Sequence, residues 1–340
     1  MSARISTSLK TDPAVAPNYK KIISYIIPPL ITAGLCYVLY ADIDMAQIRA
    51  GIGRCDFMWV AAFLGCNLMA MVCRALRWRL QLRAIGINPG FGVMNRSIFG
   101  TYAVNLVFPR LGEIWRCGYI ARLAPAPFSG VFGTMVADRL SDALMVLLIC
   151  IPAFIISSAA MNRFLAQANV GATVGDILFS WPVLAGAALL LCAALYVIFA
   201  KSRLAQKVRD FVVRTWRGFT VIFAMPRRGR WLLLTFAIWG CYIVSMGCSM
   251  AAFPATAALA HTYGIECVLI TFVFGSLAMA VPSNGGIGPW QVAIILSLSG
   301  LYGLPEQEAL VFATLNLAAS TLLTILLGLY TFAHIALRRR

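Results

Sequence analysis

Long apolar stretches, separated by short polar segments, dominate the pattern of the chain. Stretches of about 17 to 25 mainly apolar residues predict transmembrane helices, because a helix rising about 1.5 Å per residue needs about 20 residues to cross the hydrocarbon core. The predicted spans are residues 22–41, 57–73, 128–160, 181–200, 231–253, 265–282 and 309–333. The pattern therefore predicts an all-α, polytopic membrane bundle.

Two further apolar segments, 92–124 and 285–303, are interrupted by glycine, proline and, in the first, charged residues. Irregular backbone at membrane depth must face protein or water, so these segments fit discontinuous or re-entrant helices better than smooth spans. The alternative is that glycine and proline only kink spanning helices. The full expectation is about six to eight spans plus two broken hairpins.

Composition supports a membrane protein. Hydrophobic residues make up 61% of the chain and the mean hydropathy is +0.84, against roughly 45–50% apolar residues in soluble domains. The chain has only two histidines, His261 and His334, far apart in sequence, which leaves little room for a zinc site or a serine-type triad. We expect no metal and no cofactor.

Basic residues indicate the orientation, since short loops rich in lysine and arginine stay in the cytoplasm. The basic clusters are residues 1–21, 74–96, 110–122, 201–230 and 338–340. By contrast, the loops at 42–56 and 161–180 hold only three arginines. This distribution places both termini in the cytoplasm, and it makes 92–124 a hairpin that enters and leaves on the cytoplasmic face.

The predicted domain organisation is one transmembrane domain, residues 22–337, between a cytoplasmic tail, 1–21, and a basic C-terminus, 338–340. Within it, residues 201–230 hold nine lysines and arginines. Such a cluster invites a nucleic-acid interpretation, but its apolar and basic positions fall on opposite sides of a helix. We expect a helix lying on an anionic lipid surface, and no nucleic-acid partner.

Charge leaves two topologies open for residues 255–303: two full crossings, or a hairpin that enters from the outer face. We favour the hairpin, which gives two broken hairpins in an inverted arrangement, as recurs in transporters. The new helix starts would then point their partly positive N-termini toward the midplane, with Pro109 and Pro289 as first-turn residues.

The first break carries charge. Arg110, Glu113 and Arg116 follow at spacings of three, so on a helix they share a face and Glu113 can pair with either arginine. One positive charge is left over, and with Asn105 nearby it is a candidate for binding a lipid phosphate. The alternative is that these arginines only anchor the topology by reaching the cytoplasmic surface.

A second charged group, Asp138, Arg139 and Asp142, lies in the first turns of an otherwise apolar helix. The two carboxylates share a face, and Arg139 reaches Asp142 at i+3. The group either neutralises the surplus charge on the first hairpin or carries a proton through one buried carboxylate. A purely structural ion-pair network stays an equal alternative.

The second break offers neutral polar groups. Asn284 and Gln291 flank a glycine-rich turn that lets backbone approach a ligand closely. Arg74 and Arg77 follow directly after the span 57–73, so we interpret them as anchors at the membrane surface, with contact to a lipid headgroup as the alternative.

Four motifs occur in order along nearly the whole chain: Arg74-Ala-Leu-Arg77-Trp78-Arg79, Asn105 with Pro109-Arg110-Leu-Gly112-Glu113 and Arg116, Asp138-Arg139-Leu-Ser-Asp142, and Pro282-Ser-Asn-Gly-Gly286-Ile-Gly288. Together they resemble the lysylphosphatidylglycerol synthase transmembrane-region family, which includes the flippase half of the multiple peptide resistance factors. The resemblance implies movement of a polar or charged lipid between the leaflets of a bacterial or archaeal plasma (inner) membrane.

The chain departs from the family pattern at two positions. Asp138 replaces a usual glutamate, and Gln291 stands where the family commonly has glutamate, which puts ion or amine coupling at that site in doubt. The sequence ends at Arg340, so we expect this chain to lack the cytosolic aminoacyl-transferase domain of the two-part factors. We therefore do not expect lysyl-lipid synthesis or another enzymatic activity.

The leading hypothesis is a lipid translocase for a phospholipid, an aminoacyl-lipid or a polyprenyl-phosphate-linked lipid. One alternative is a membrane-embedded hydrolase or transferase of lipid phosphates, with a carboxylate as base and arginines holding the phosphate. Another is a non-catalytic subunit that works with a lipid-modifying or glycosyl-transfer enzyme.

Overall fold

The computed structural model describes residues 45–124, 126–157, scattered positions between 206 and 225, and residues 227–281 and 283–338. The predicted spans 22–41 and 181–200, the tail 1–21, Pro282 and most of the basic segment 201–230 lie outside the described residues. Every regular element in the described ranges is helical.

The helices, in chain order, are α1 (Met45–Arg54), α2 (Phe57–Ala84), α3 (Phe91–Val107), α4 (Leu111–Leu123), α5 (Phe128–Ile156), α6 (Arg228–Ala251), α7 (Pro254–Tyr263), α8 (Ile265–Ala278), α9 (Pro289–Ile295, continued by a π-helical segment Leu296–Leu301) and α10 (Glu306–Leu337). Within the described residues, α2, α5, α6 and α10 are long and apolar enough to cross a membrane. The pair α7 and α8, bent by 117°, makes a fifth if it counts as one span.

These helices confirm part of the predicted pattern. Helices α5, α6 and α10 occupy the predicted spans 128–160, 231–253 and 309–333. Helix α2 extends to Ala84, well beyond the predicted end at residue 73. In the predicted span 265–282, α8 has 14 residues and a length of about 21 Å, against about 30 Å of hydrocarbon, so by itself it is too short to cross.

Helices α3 and α4 form the first hairpin. Proline disfavours helical geometry in the residue before it, and α3 ends at Val107, two residues before Pro109. Arg110 then adopts a left-handed φ of 66°, and the chain reverses. The amide of Gly112 donates to Asn105 Oδ1 over 2.7 Å, so the two helices lie side by side. Helix α4 begins at Leu111, which makes the expectation of Pro109 as a first-turn residue wrong.

Helices α8 and α9 form the second hairpin. Its turn uses glycines at positive φ: 62° at Gly285, 88° at Gly286 and 91° at Gly288. Pro289 is the first residue of α9, as predicted. The hydroxyls of Thr271 and Ser297 are 3.0 Å apart and join the two arms.

The turns of the two hairpins contact each other. Arg110 Nη2 donates to the carbonyl oxygens of Ala280, at 2.8 Å, and Met279, at 3.2 Å. Leu106 of α3 also lies against Gly285, where a Cβ atom would meet its side chain. The break in each hairpin is therefore part of one junction.

Helices α2 and α6 form an antiparallel pair that supports both hairpins. The amide of Asp56, just before α2, donates to the carbonyl of Ala252, just after α6, over 2.8 Å. Near the other end, Arg77 Nη1 donates to Thr235 Oγ1 over 3.4 Å. This pairing places one face of α2 against α5, where the charged residues meet.

Candidate functional site

A cluster of arginines and carboxylates lies where α2, α4 and α5 converge. Its centre is Arg77 of α2, which donates from Nη2 to Asp138 Oδ1 over 2.6 Å and to Asp142 Oδ1 over 2.7 Å. The Nε of Arg77 also donates to Asp138 Oδ1, at 3.0 Å. The side chains of Arg77 and Asp138 are 0% exposed, so this pair is sealed inside the protein.

Two more buried arginines complete the inner part of the cluster. Arg74 donates to Asp142, and its Nη1 is 3.9 Å from Asp138 Oδ2. Arg116 of α4 donates to Asp138 Oδ2 over 3.3 Å. Its guanidinium carbon also lies 4.5 Å from the ring centre of Trp78, close enough for a cation–π interaction.

The outer edge of the cluster is open. Arg139 Nη2 lies 3.2 Å from both Asp138 Oδ2 and Asp142 Oδ2, yet the Arg139 side chain is 37% exposed. Glu113 of α4 lies 4.0 Å from Arg139 Nη1 and accepts from Asn105 Nδ2 over 3.2 Å. Arg139 is therefore the member of the cluster that an incoming group can reach.

Helical spacing produces this geometry. Positions 74 and 77 on α2, and 138 and 142 on α5, place each pair on one side of its helix. Trp78 Nε1 donates to Thr134 Oγ1 over 3.0 Å and holds the register between the two helices. Position 138 is about 15 Å along α5 from Phe128, so the cluster lies deep within a spanning helix.

The cluster has a net positive charge. Among the described residues, four arginines meet three carboxylates, which leaves a formal surplus of one positive charge. The Nε atoms of Arg74, Arg116 and Arg139 are buried and have no hydrogen-bond partner. Charge in the membrane interior costs several kcal/mol unless it is compensated. An anion with several oxygens, such as a phosphate, matches this surplus charge, and it can reach the cluster at the partly exposed Arg139.

Most of the sequence-predicted residues converge here, and one pairing differs from the expectation. Asn105, Glu113, Arg116, Asp138, Arg139 and Asp142 form the cluster with Arg74 and Arg77. The predicted pairing of Arg139 with Asp142 is confirmed. Asp138 of α5 also pairs with Arg116 of the first hairpin, which agrees with one of the two roles left open for this group. The closest cation to Glu113 is Arg139, whereas we expected Arg110 or Arg116, because Arg110 precedes α4 and points to the hairpin junction.

The interpretation of Arg74 and Arg77 as surface anchors is wrong. Both side chains are buried in the cluster, because α2 continues past the predicted end of the span and carries them inward. Their role as headgroup contacts stays a prediction. The i, i+3 spacing of Arg74 and Arg77 with Trp78 beside it was the available signal that these arginines face a partner helix.

The remaining predicted residues lie at the second hairpin. Gln291 is buried, accepts from the Gly288 amide over 3.2 Å and donates to Thr314 Oγ1 over 3.3 Å. Asn284 lies in the glycine-rich turn, where its Oδ1 is buried without a partner. The contacts of Gln291 help to order the second hairpin, and the participation of both residues in ligand binding stays a prediction.

Sequence reasoning missed two tyrosines near the cluster. The hydroxyls of Tyr102 on α3 and Tyr242 on α6 are 3.3 Å apart, and both lie within electrostatic range of Arg74. They are 140 positions apart in the chain, so no local pattern could have paired them.

Comparison with known proteins identifies the family of this chain. Residues 25–328 match the family described as the lysylphosphatidylglycerol synthase TM region. The chain belongs to this family. The matched range of this family member contains the whole ion cluster and both hairpins, and it confirms the resemblance that the four motifs indicated.

A curated relative adds a second comparison. The chain is 22% identical over 344 aligned positions to a protein named glycosyltransferase AglD from Haloferax volcanii. The alignment covers 92% of this chain and 55% of that protein. This member of the TM-region family thus spans only about half the length of the relative.

Proposed function

We propose that this protein moves a phosphate-bearing polar lipid between the two leaflets of a bacterial or archaeal plasma membrane. The observation that carries the proposal concerns Arg139. Its side chain is 37% exposed and lies at the edge of a buried cluster with excess positive charge. A guanidinium forms two parallel hydrogen bonds with phosphate oxygens, so Arg139 is the group that first receives the headgroup.

The acyl chains remain outside the cluster. Beyond Arg139, α5 presents exposed apolar side chains at positions spaced by three and four, namely Leu140, Leu144, Leu147, Ile151 and Ile155. This stripe suits lipid tails, while the headgroup occupies the charged edge. Separating the two in this way avoids passing charge through hydrocarbon.

The inverted arrangement of the hairpins is part of the proposal, with α10 as the reference. Tyr302, at the open end of the second hairpin, lies just before α10 begins. On the first hairpin, Ala103 lies against Gly328 of α10, and Arg96, nearer the open end, lies close to His334. The open ends thus lie at opposite ends of α10, which supports entry from opposite faces, with the junction near the middle and both termini cytoplasmic.

A transport assay in liposomes tests the proposal. Proteoliposomes would contain fluorescent phosphatidylglycerol or, in a parallel set, a fluorescent glucosyl-diacylglycerol without phosphate, and dithionite would report lipid crossing. We expect crossing of the phosphate lipid to be at least about tenfold faster with the native protein than with Arg139→Gln, since a charged hydrogen bond contributes about 1.5–3 kcal/mol.

The control for this assay is Arg122→Gln, which removes an exposed arginine in the last turn of α4. Equal rates for the native protein and Arg139→Gln would remove the cluster from the mechanism. Equal rates for the phosphate lipid and the glucolipid would remove phosphate recognition.

A second candidate function is a module that presents a lipid-linked substrate to a glycosyl-transferring partner. It is favoured by the relative named a glycosyltransferase, of which this chain matches 55%. An assay in detergent distinguishes the two candidate functions, because no leaflets exist there for a lipid to cross. Product formation that requires this protein together with a transferase would support the module, and product formation by this protein alone would support an enzyme.

A further inference from the structure

A second cationic position lies outside the central cluster, in the first turns of α3. Arg96 is only 7% exposed, its Nε is a buried atom without a partner, and no described contact supplies it with a carboxylate. Leaving a buried charge uncompensated costs several kcal/mol, and none of the described residues compensates Arg96 with a carboxylate, so this arginine suits binding of an external anion.

The Arg96 guanidinium points back to the start of its own helix. A Cβ atom built on Gly92 would be 3.2 Å from Arg96 Nη1 and 3.8 Å from its Cζ, so the guanidinium lies over the first turn of α3. That turn begins after Gly90, which gives no side-chain cap. The amides of the first turn have no acceptor within the helix and carry the positive end of its dipole. Gly92 itself is exposed, which leaves this surface accessible.

His334, near the end of α10, is a second polar residue at the same height in the bundle as Arg96. Ala103 of α3 lies against Gly328 of α10, and the helices are antiparallel, so Arg96 and His334 lie about two turns further along each. The Nε2 of His334 is buried without a partner. The charged groups that act on His334 are Arg96 and Arg338, both cations.

We propose that the start of α3, Arg96 and His334 together bind a phosphate group. Amides at a helix N-terminus and a guanidinium are the donors that phosphate oxygens prefer. The surrounding surface is apolar, with exposed Phe91, Phe332 and Leu337, so the phosphate is that of a membrane lipid whose tails cover these side chains. The charge distribution of the chain places this lipid in the cytoplasmic leaflet.

This site does not depend on lipid transport, and binding can be measured without it. Full-length protein would be delipidated in a neutral maltoside detergent and titrated with phosphatidylglycerol, with galactosyl-diacylglycerol or with inorganic phosphate. Native mass spectrometry would count bound lipid, and tryptophan fluorescence would report the unfolding temperature. The variants are Arg96→Met, Gly92→Ala and the control Arg122→Met.

We expect the native protein and Arg122→Met to retain one more phosphatidylglycerol than Arg96→Met, since a charged hydrogen bond contributes about 1.5–3 kcal/mol, which is about tenfold or more in affinity. We expect Gly92→Ala to bind it more weakly than the native protein but more tightly than Arg96→Met. Gly92→Ala keeps Arg96 but places a methyl group against its guanidinium. In detergent without lipid, Arg96→Met should unfold at the same temperature or higher, because it removes an uncompensated charge.

Two results would overturn the site. One is a clear drop in the unfolding temperature of lipid-free Arg96→Met, which would mean that Arg96 has an internal partner. The other is equal phosphatidylglycerol binding by the native protein and Arg96→Met. An Arg96-dependent response to inorganic phosphate with none to the lipid would assign the site to free phosphate, whereas a response to the galactolipid equal to that to phosphatidylglycerol would contradict phosphate recognition altogether.

Discussion

The two hairpins have a similar backbone plan and very different chemistry. Each joins two helices shorter than the spanning helices through a break that contains proline, and glycines lie in the second break and, as Gly112, in the first turn of α4. The first hairpin contributes Glu113 and Arg116 to the ion cluster. The second is held by neutral groups, with Thr271 against Ser297 and Gly275 packed close to Trp290.

The difference separates two tasks that a broken helix performs inside a membrane. Ion pairs fix the first hairpin to α5 and bring charge into the interior of the bundle. Small residues and neutral hydrogen bonds let the second hairpin pack tightly without adding charge. At the junction the second hairpin presents backbone carbonyls, and Arg110 of the first hairpin donates to them.

The largest expected effect comes from removing the acid that holds the first hairpin. Asp138→Asn leaves Arg77 and Arg116 without their shared carboxylate, and we expect a loss of about 3–5 kcal/mol in the free energy of unfolding. The measurement is unfolding by denaturant in detergent. The matched control, Glu308→Gln, removes an exposed acid from the first turn of α10 and should change the free energy of unfolding by less than about 0.5 kcal/mol.

A loss below about 1 kcal/mol for Asp138→Asn would contradict the electrostatic attachment of the first hairpin. It would mean that packing and neutral hydrogen bonds hold the first hairpin, as they hold the second.

An intermediate effect on the free energy of unfolding is expected when alanine replaces a closely packed glycine inside each hairpin. A Cβ at Gly112 would clash with the backbone carbonyl of Thr101, which cannot move aside, so Gly112→Ala should destabilise by about 1–3 kcal/mol. Gly275→Ala should cost less, because its Cβ would meet the ring of Trp290 at 2.7 Å and a side chain can shift.

The control for both is Gly240→Ala in α6, where nothing lies within 4 Å of an added Cβ. There alanine should gain up to about 1 kcal/mol from its higher helix propensity. A Gly112→Ala protein as stable as Gly240→Ala would show that the first hairpin is packed more loosely than its contacts indicate.

The smallest effect is expected at the junction. Arg110 is exposed, so Arg110→Gln should lower the free energy of unfolding by less than about 1 kcal/mol, while hydrogen exchange increases around residues 279–288. Arg110→Gly loses the same contacts but relieves the left-handed φ, so it should be about 1 kcal/mol more stable than Arg110→Gln. Unchanged exchange in both variants would show that the turns are held together without Arg110.

Sequence reasoning reached the fold class, the breaks and part of the site for identifiable reasons. Apolar length predicts spanning helices directly, and Pro109 and the glycines of 285–288 predict interruptions through backbone geometry. Helical spacing predicted that Asp138 and Asp142 share a face and that Arg139 reaches Asp142. These are local properties, which neighbouring residues determine.

The predictions for Arg74 and Arg77 were wrong because they depend on contacts between distant parts of the chain. A hydropathy pattern ends a span where charge begins, so Arg74 and Arg77 were placed outside the membrane. Their charges are tolerated in α2 because Asp138 and Asp142, more than 60 positions away, compensate them. For Arg96, nothing in its own segment indicates that the side chain is buried with an Nε that has no partner among the described residues.

The sequence by itself determined that this is a helical membrane protein with two interruptions, since the length of apolar runs and the stereochemistry of proline and glycine act locally. Only the tertiary structure decided which charges are paired, which one is exposed and that the two turns meet. The physical reason is that the cost of a buried charge depends on groups that lie within a few ångströms of it, and folding brings those groups together from distant parts of the chain.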